Sequence, residues 1–419
     1  MDGAREVPDN SNEQTVRDGV PPPAHRWLAD SGLRPLRLAG RNLLPIVQGG
    51  MGVGISAGGL AGTVASWGAV GTISSVDLRR LHPDLMAATA ALDTRDPNTR
   101  ARIDRANRQA LDREIRRARA LSQGYGLIAV NIMRALSAYA DYVEQALDSG
   151  ADALVVGAGL PLDLPELAQD HPRVALIPIL SDARGVQVVV RRWMKRARLP
   201  DAIVLEHPRL AGGHLGAAKV ADLNDRRFDF DVVVPEVQAF LAREGIERDI
   251  PVIVAGGISS HGDIQRLQAL GAAAVQLGTA FAVTAECDAA EAFKRVLATA
   301  RPQDLVEFTS VAGLPARAVR TPWLDKYLRL QGRLQAMAHP KRRCNMGFDC
   351  LARCGLRDGV ADMGQFCIDQ QLGHALEGDV QRGLFFRGAG RLPFGEAIRP
   401  VQDLLRWLLG QPVPGAGGA

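Results

Sequence analysis

The sequence predicts an α/β fold: a (β/α)8 (TIM) barrel followed by a helical C-terminal extension that carries a cluster of four cysteines. Two observations lead to this fold class. Eight short apolar segments alternate with stretches of helical character, which is typical of a parallel sheet, and eight such units can close a barrel. The last two apolar segments run directly into glycines, as strands do when they end in ligand-binding turns.

The predicted strands are short and rich in Val, Ile, Leu and Ala, as strands buried on both faces are. They are Leu44–Gln48, Val70–Ser74, Leu127–Asn131, Ala153–Val156, Val174–Pro178, Ala202–Glu206, Val252–Ala255 and Ala273–Leu277. The main predicted helices between them are Gly59–Ser66, Asn107–Leu121, Ala138–Leu147, Gly185–Arg196, Glu236–Glu244 and His261–Leu270. Each predicted strand and the helix after it thus correspond to one β/α unit of the barrel.

The pattern divides the chain into four parts. Residues 1–35 are polar at their start and include three consecutive prolines, and we expect them to form a disordered tail. Residues 36–320 form the barrel, and residues 321–410 form a helical segment with the cysteine cluster. Residues 411–419, rich in glycine and proline, are expected to be a flexible tail.

Composition excludes several classes of function. The chain has 419 residues, 47% of them hydrophobic, and its net charge of +4 is not gathered in a basic stripe, so we expect no nucleic-acid partner. No run reaches the ~18 apolar residues of a spanning helix, so we expect no membrane partner. Five cysteines without an apolar signal segment favour a cytoplasmic location. We expect a small-molecule substrate and leave a homodimer open.

Glycines after the last two predicted strands are the strongest functional signal. Gly256 and Gly257 follow the seventh strand, and Gly278 and Thr279 follow the eighth. Backbone N–H groups at such turns can approach an anion closely, and a following helix adds its dipole. Paired turns at this end of a barrel often bind phosphate. The sequence therefore predicts a phosphorylated cofactor or substrate, and hence an enzyme.

Further candidates follow the first and third strands. Glycines surround Met51 within Gln48–Gly59, where a flat ring or a phosphate can lie against bare backbone, although a structural turn has the same composition. The glycine spacing is not that of the dinucleotide fingerprint. Asn131 ends the third strand, where barrel ligands bind, but an amide there can also cap a helix.

A histidine after the sixth strand is the predicted catalytic base. His214 lies in a glycine-rich turn, where an exposed imidazole that is neutral near pH 7 suits general-base catalysis. Glu206 ends the strand and could orient His214 or bind a ligand hydroxyl, and the structural alternative is a buried pair with Arg209. His207 is a competing base, but it precedes Pro208 and lacks the glycine frame.

These motifs, taken together, resemble a known family. In order, they are Pro45–Met51, Val130–Met133, Gly157–Gly159, Ala211–His214, Ala255–Gly257 and Gln276–Thr279. The set is similar to the nitronate monooxygenase (2-nitropropane dioxygenase-like) family and to the related flavin-dependent enoyl-acyl carrier protein reductases. The resemblance runs from about Leu36 to Arg320.

The resemblance implies that residues 36–320 bind FMN. The glycine-rich first loop would lie along the flavin ring, Asn131 would contact the ring or the ribityl chain, and the two late turns would hold the phosphate. His214 would match the catalytic histidine of the family. Together with Glu206 as a possible ligand contact, the expected cofactor-binding residues are Gly50, Met51, Gly52, Asn131, Glu206, Gly213, Gly256, Gly257, Gly278 and Thr279.

Two activities are consistent with the resemblance, and a third hypothesis does not depend on it. A nitronate monooxygenase-like enzyme would oxidise an alkyl nitronate or a similar carbanionic substrate with O2. An enoyl reductase would use NAD(P)H to reduce an enoyl thioester carried by CoA or acyl carrier protein. The basic segments Arg113–Arg119 and Arg191–Arg198 could bind such an acidic carrier, although solvated helix faces have the same composition. The third reading is a non-redox barrel enzyme that binds a sugar phosphate.

Four cysteines follow the barrel with the spacing C-x5-C-x3-C-x12-C: Cys344, Cys350, Cys354 and Cys367. Four thiolates can bind a 4Fe-4S cluster or zinc, and unligated thiols are the alternative. The spacing loosely resembles that of dienoyl-CoA reductase-type flavoenzymes, which favours iron–sulfur, whereas the C-x2-C pairs usual for zinc are absent. Cys287 lies apart and is expected to be a buried apolar residue.

Two stretches near the end of the chain could complete a pocket. Arg317 follows the barrel and could contact a substrate carboxylate, phosphate or thioester carrier, or be a surface charge. Gly383–Gly390 is predicted to be a short apolar turn that packs back on the barrel.

Overall fold

A computed structural model describes residues 17–90, 92–93, 96–340 and 346–415. Eight parallel strands close into a barrel in which β8 pairs with β1. The strands are β1 (Ile46–Gln48), β2 (Val70–Ser74), β3 (Leu127–Met133), β4 (Ala153–Gly157), β5 (Ala175–Leu180), β6 (Ile203–Glu206), β7 (Val252–Ala255) and β8 (Ala274–Leu277). The predicted barrel is confirmed, and each predicted strand overlaps an observed one.

The α-helices of the described residues surround the barrel and cover its mouth. They are α1 (Pro22–Ser31), α2 (Gly58–Ser66), α3 (Pro83–Ala90), α4 (Pro97–Ser122), α5 (Tyr139–Asp148), α6 (Leu164–Leu167), α7 (Ala183–Met194), α8 (Phe230–Arg243), α9 (His261–Ala269), α10 (Thr279–Ala282), α11 (Glu291–Thr299), α12 (Pro322–Ala336), α13 (Gly355–Asp358), α14 (Ile368–Leu376) and α15 (Val401–Leu408). Short 3₁₀ turns cover Leu78–Leu81, Val220–Asn224, Arg226–Phe228 and Pro302–Asp304.

Local sequence explains why these elements begin where they do. Asp182 caps α7 by accepting a hydrogen bond from the backbone N–H of Gly185 at 2.8 Å. Ser260 and Asp263 form a capping box at the start of α9. Every residue of β2, β4, β7 and β8 is buried, as their mostly apolar sequences predict, and this includes the polar Thr72, Ser74 and Gln276.

Residues 17–35, before the barrel, include regular secondary structure. Residues 17–18 pair with Arg41–Leu43, which also pairs with Leu36–Leu38, in a small sheet. On α1, Trp27 stacks on Trp67 with ring centroids 5.1 Å apart. The prediction of a disordered tail to residue 35 therefore extends too far, because aromatic stacking and strand pairing order residues 17–35. Residues 1–16 lie outside the described part.

The C-terminal segment shares its core with the barrel. A hairpin of β9 (Leu305–Thr309) and β10 (Pro315–Val319) leads into α12, and residues of α12, α14 and α15 belong to the same apolar cluster as the barrel helices. The predicted flexible tail is also ordered at its start, because Arg399 donates to the carbonyls of Pro414 and Gly415. No helix in the described ranges has the length and apolar character required to traverse a bilayer.

Candidate active site

One cavity of about 290 Å³ opens at the C-terminal ends of the barrel strands. Its wall contains the proposed catalytic histidine and every proposed cofactor-binding residue, eleven in all. They come from β3, from the end of β6 and from the segments after β1, β6, β7 and β8: Gly50, Met51, Gly52, Asn131, Glu206, Gly213, His214, Gly256, Gly257, Gly278 and Thr279. Residues that are far apart in sequence thus share one cavity, as expected at this face of a barrel.

The turns after β7 and β8 form a cup of bare backbone. Gly256 and Gly257 have φ angles of +112° and +73°, which residues with a side chain rarely adopt. A Cβ on Gly257 would lie 2.9 Å from Leu210 Cδ1, so a larger residue would have to displace that side chain as well as adopt an unfavourable φ angle. The helix after β8 has only four residues, so the backbone N–H groups and not a long helix dipole supply the attraction for an anion. We refer below to Gly256, Gly257, Gly278 and Thr279 as the phosphate cup.

The glycine-rich loop after β1 is suited to a flat ring and not to a phosphate. A Cβ on Gly50 would lie 2.3 Å from Asn131 Cβ, so this glycine lets the loop lie directly against the end of β3. Asn131 is held by a 3.1 Å hydrogen bond from Nδ2 to the Val155 carbonyl. The first N–H groups of α2 already donate to carboxylates, Gly58 to Glu114 and Leu60 to Asp288, which excludes a second anion there.

His214 is fixed by the backbone around it. It pairs with Ala316 of β10, and its ring lies 5.7 Å from that of Phe386. Burial lowers the pKa of His214 from 6.5 to about 4, so the imidazole is neutral at pH 7. Its Nε2 is buried and has no hydrogen-bond partner among the described residues. An orphaned ring nitrogen in a cavity wall is suited to bind or deprotonate a ligand.

Glu206 is a second unpaired ionisable group in the cavity wall. Burial raises its pKa from 4.5 to about 7, and no described cation forms an ion pair with it. The alternative of a pair with Arg209 is wrong, because Arg209 instead binds Asp229 at 3.0 Å. Glu206 can therefore exchange a proton near neutral pH.

The competing histidine, His207, is outside the cavity wall. It is buried, its Nε2 lies 3.2 Å from Asp229 Oδ1, and burial lowers its pKa. The structure therefore favours His214 as the group that meets a ligand.

Arg317 has a structural role that sequence did not predict. It is buried, forms an ion pair with Glu307, and donates to the carbonyls of Pro208 and Ala211. Both readings of Arg317 from sequence, a surface charge and a substrate contact, are therefore wrong, because the guanidinium is buried and occupied inside the fold. Arg317 instead holds the chain that leads to His214.

The structure describes three of the four cysteines in the predicted cluster. Cys344 lies outside the described residues, and among those described no group of three or more His, Cys, Asp or Glu could hold a metal ion. Cys350 lines the cavity, and Cys354 is buried. The four-thiolate site finds no support here and stays a prediction. Cys287 is buried as expected, its thiol donates to the Ile55 carbonyl, and burial raises its pKa to about 12.

The C-terminal segment supplies a large share of the cavity wall. Its apolar contributors are Leu351, Ile368, Leu372, Ala375, Leu384, Phe386 and Leu392. Arg387 and Arg391 also line the cavity, and sequence reasoning missed them. The available signal was the pattern of arginines between glycines in residues 387–391, within and just after the turn that we predicted to pack on the barrel.

The cavity has the features that a flavin mononucleotide requires. The turns after β7 and β8 leave a cup with no side chain except that of Thr279, and the glycine-rich loop after β1 lines the same cavity. His214, whose buried Nε2 has no partner among the described residues, is a third part of this wall. Gly50, Met51, Gly52 and Asn131 would hold the ring and chain, and the phosphate cup would hold the phosphoryl group.

Comparison with known proteins agrees with this geometry. Residues 41–410 match the family model for nitronate monooxygenase. Since this match covers most of the chain, the protein belongs to the nitronate monooxygenase family. Membership of this family favours a flavin-dependent oxidoreductase over the non-redox reading. The match includes the C-terminal segment, which is therefore part of the family domain.

Curated relatives align over part of their length. The nitronate monooxygenase of Pseudomonas aeruginosa is 29% identical over 174 residues, which are 38% of this chain and 47% of that protein. The (3aS,4S,5R,7aS)-5-hydroxy-7a-methyl-1-oxo-octahydro-1H-indene-4-carboxyl-CoA dehydrogenase of Mycobacterium tuberculosis is 29% identical over 160 residues, 37% of this chain and 41% of that protein. The chain spans less than half the length of these two relatives.

Solved structures share the fold over most of the chain. FabK from Thermotoga maritima superposes with a TM-score of 0.58 at 22% identity and covers 87% of this chain and 91% of its own. Nitroalkane oxidase from Streptomyces ansochromogenes gives a TM-score of 0.57 at 20% identity, with 91% and 97% covered. At these identities the likeness concerns the fold.

Proposed function

We propose that this protein binds FMN and oxidises an alkyl nitronate or a similar carbanionic substrate with O2. The observation that carries the proposal is the shared cavity of His214 and the phosphate cup, in which the imidazole is neutral and its Nε2 has no described partner. Family membership supports the reaction class. When bound, FMN supplies the electron-accepting and oxygen-reactive chemistry.

His214 would act on the substrate in one of two ways. A neutral imidazole can accept the α-proton of a neutral nitroalkane through Nε2, or it can donate a hydrogen bond to a substrate that is already an anion. Glu206, which is near half-ionised at pH 7, can receive or return a proton in the same cavity. The apolar wall formed by Leu351, Leu372 and Leu384 would exclude water from the reacting carbon.

Oxygen uptake with two forms of one substrate tests this proposal. His214→Asn should lower turnover of neutral 2-nitropropane by about 10²–10⁴-fold, the usual contribution of a general base, and lower turnover of preformed propyl-2-nitronate much less. His339→Asn, an exposed histidine, is the control and should leave both rates unchanged. A wild-type protein that binds FMN but consumes no oxygen with either form would contradict the proposal.

An enoyl-thioester reductase is the second candidate, favoured by the apolar wall that the C-terminal segment adds to the cavity. An acyl chain could lie along residues 351, 368 and 372. The basic segments Arg113–Arg119 and Arg191–Arg198 offer less support for an acidic carrier, because Arg113 pairs with Asp84 and Arg191 pairs with Glu244. Anaerobic NADH or NADPH oxidation that depends on an enoyl-CoA or enoyl-acyl carrier protein would select this activity over the first.

A further inference from the structure

Arg387 is a buried cation in the cavity wall with no acidic partner. Three arginines of the described residues are buried: Arg79, Arg317 and Arg387. Arg79 forms an ion pair with Asp77, and Arg317 forms one with Glu307. No described carboxylate lies within ion-pair distance of Arg387, which donates only to carbonyl oxygens. Buried charge without a counter-charge is costly, so this exception requires an explanation.

The guanidinium belongs to a loop that lies on the phosphate cup. Its Nε donates to the Leu297 carbonyl at 2.9 Å and its Nη1 to the Gly388 carbonyl at 2.8 Å, whereas Nη2 donates to no described residue. The Gly388 N–H donates to Thr279 Oγ1 at 3.0 Å, which joins the loop directly to the cup. A Cβ placed on Gly390 would lie 3.1 Å from Gly257 Cα, so the loop also lies against the other turn of the cup.

The cup itself has no charge to balance a phosphoryl group. Its members are three glycines and a threonine, and a phosphomonoester carries about −1.5 to −2 charge at pH 7. Backbone N–H groups give direction and hydrogen bonds, but they leave that charge without a neutralising cation. Arginine is suited to this task because its guanidinium stays protonated and binds phosphate through several donors.

We propose that Arg387 is the counter-charge for a phosphomonoester bound in the phosphate cup, so that the C-terminal segment selects a phosphorylated flavin over an unphosphorylated one. This inference rests on the proposed binding of FMN. It assigns to the extension a part in coenzyme selection that the barrel turns alone do not supply. Arg391 lies at the same wall but is exposed, so it contributes a weaker, solvent-screened charge.

The test compares FMN with riboflavin, which lacks only the phosphate. Flavin-fluorescence titrations of the full-length flavin-free protein should show that Arg387→Gln weakens FMN binding by about 10- to 100-fold, the value of a charge-assisted hydrogen bond, and changes riboflavin binding by less than about threefold. Arg382→Gln is the matched control, because Arg382 lies on the same segment but is exposed and pairs with Asp379. It should change neither affinity.

Several outcomes would overturn the inference. Equal losses of FMN and riboflavin affinity would show that Arg387 only holds the loop, and a wild type with no preference for FMN would show that the cup does not select phosphate. A wild type that binds neither flavin would instead contradict the proposed function. If the glutamine variant does not fold, Arg387→Lys provides the test, because it keeps the positive charge and should keep a preference for FMN over riboflavin. A folded lysine variant that has lost all preference for FMN would refute the counter-charge role.

Discussion

Glu206 gives a quantitative prediction, because its burial without a cation affects stability. Burial raises its pKa from 4.5 to about 7. A carboxyl group whose pKa is raised in the folded state binds its proton more tightly there than in the unfolded chain. The free energy of unfolding therefore falls as pH rises from about 4.5 through 7. Glu206→Gln removes this loss, since glutamine has no charge to bury.

The magnitude follows from the two pKa values. With 4.5 in the unfolded chain and about 7 in the folded protein, the wild type should lose about 2–3 kcal/mol between pH 5 and pH 8.5 that the glutamine variant does not lose. The pKa of His214 is lowered to about 4, which acts in the opposite direction, but the histidine is present in both proteins and its effect cancels.

Urea denaturation of both proteins at pH 5 and pH 8.5 measures the difference. Glu244→Gln is a suitable control, because Glu244 pairs with the exposed Arg191 and should show no comparable pH dependence. Parallel stability curves for wild type and Glu206→Gln would refute the reasoning. They would mean that Glu206 is solvated or paired, and it could then not act as a proton carrier near neutral pH.

Two further substitutions test the parts that hold the site. Gly257→Ala should weaken FMN binding by about tenfold, because alanine is strained at this φ of +73° and its Cβ would displace Leu210 Cδ1 in the cavity wall. The control Gly245→Ala has a similar φ of +74° with nothing within 4 Å, so it should lower the free energy of unfolding by about 1 kcal/mol and leave FMN affinity unchanged. An unchanged FMN affinity of Gly257→Ala in flavin titrations would contradict the cup. Arg317→Met should lower stability by about 2 kcal/mol in denaturation curves and lower turnover more than FMN affinity, since it frees the chain before His214; unchanged turnover would contradict this role.

The barrel was predictable because its strands are buried on both faces and therefore have nearly unbroken apolar sequences. Strand ends were less predictable: β3 continues past Asn131 to Met133, because Ile132 and Met133 pair with Val156 and Gly157 of β4. Residues 17–35 were mistaken for a tail, since the partners that order them are far away in sequence, as Trp67 is for Trp27.

The candidate site was predictable where glycines and a histidine follow barrel strands. It was not predictable where residues from the end of the chain pack against the barrel. The Arg317 guanidinium binds a carbonyl about a hundred residues earlier in the chain. Arg387 binds the Leu297 carbonyl, and the loop that follows it contacts Thr279. A single arginine between glycines shows no such partner in sequence. Only tertiary packing distinguishes an occupied guanidinium from one that faces a ligand.

The most direct test of the account is the identity and amount of the coenzyme released when the purified, FMN-reconstituted protein is denatured. Chromatography of the supernatant should yield close to one FMN per chain. A correctly folded protein that retains no flavin after reconstitution would contradict the central claim that the cavity at the end of this barrel holds FMN beside His214.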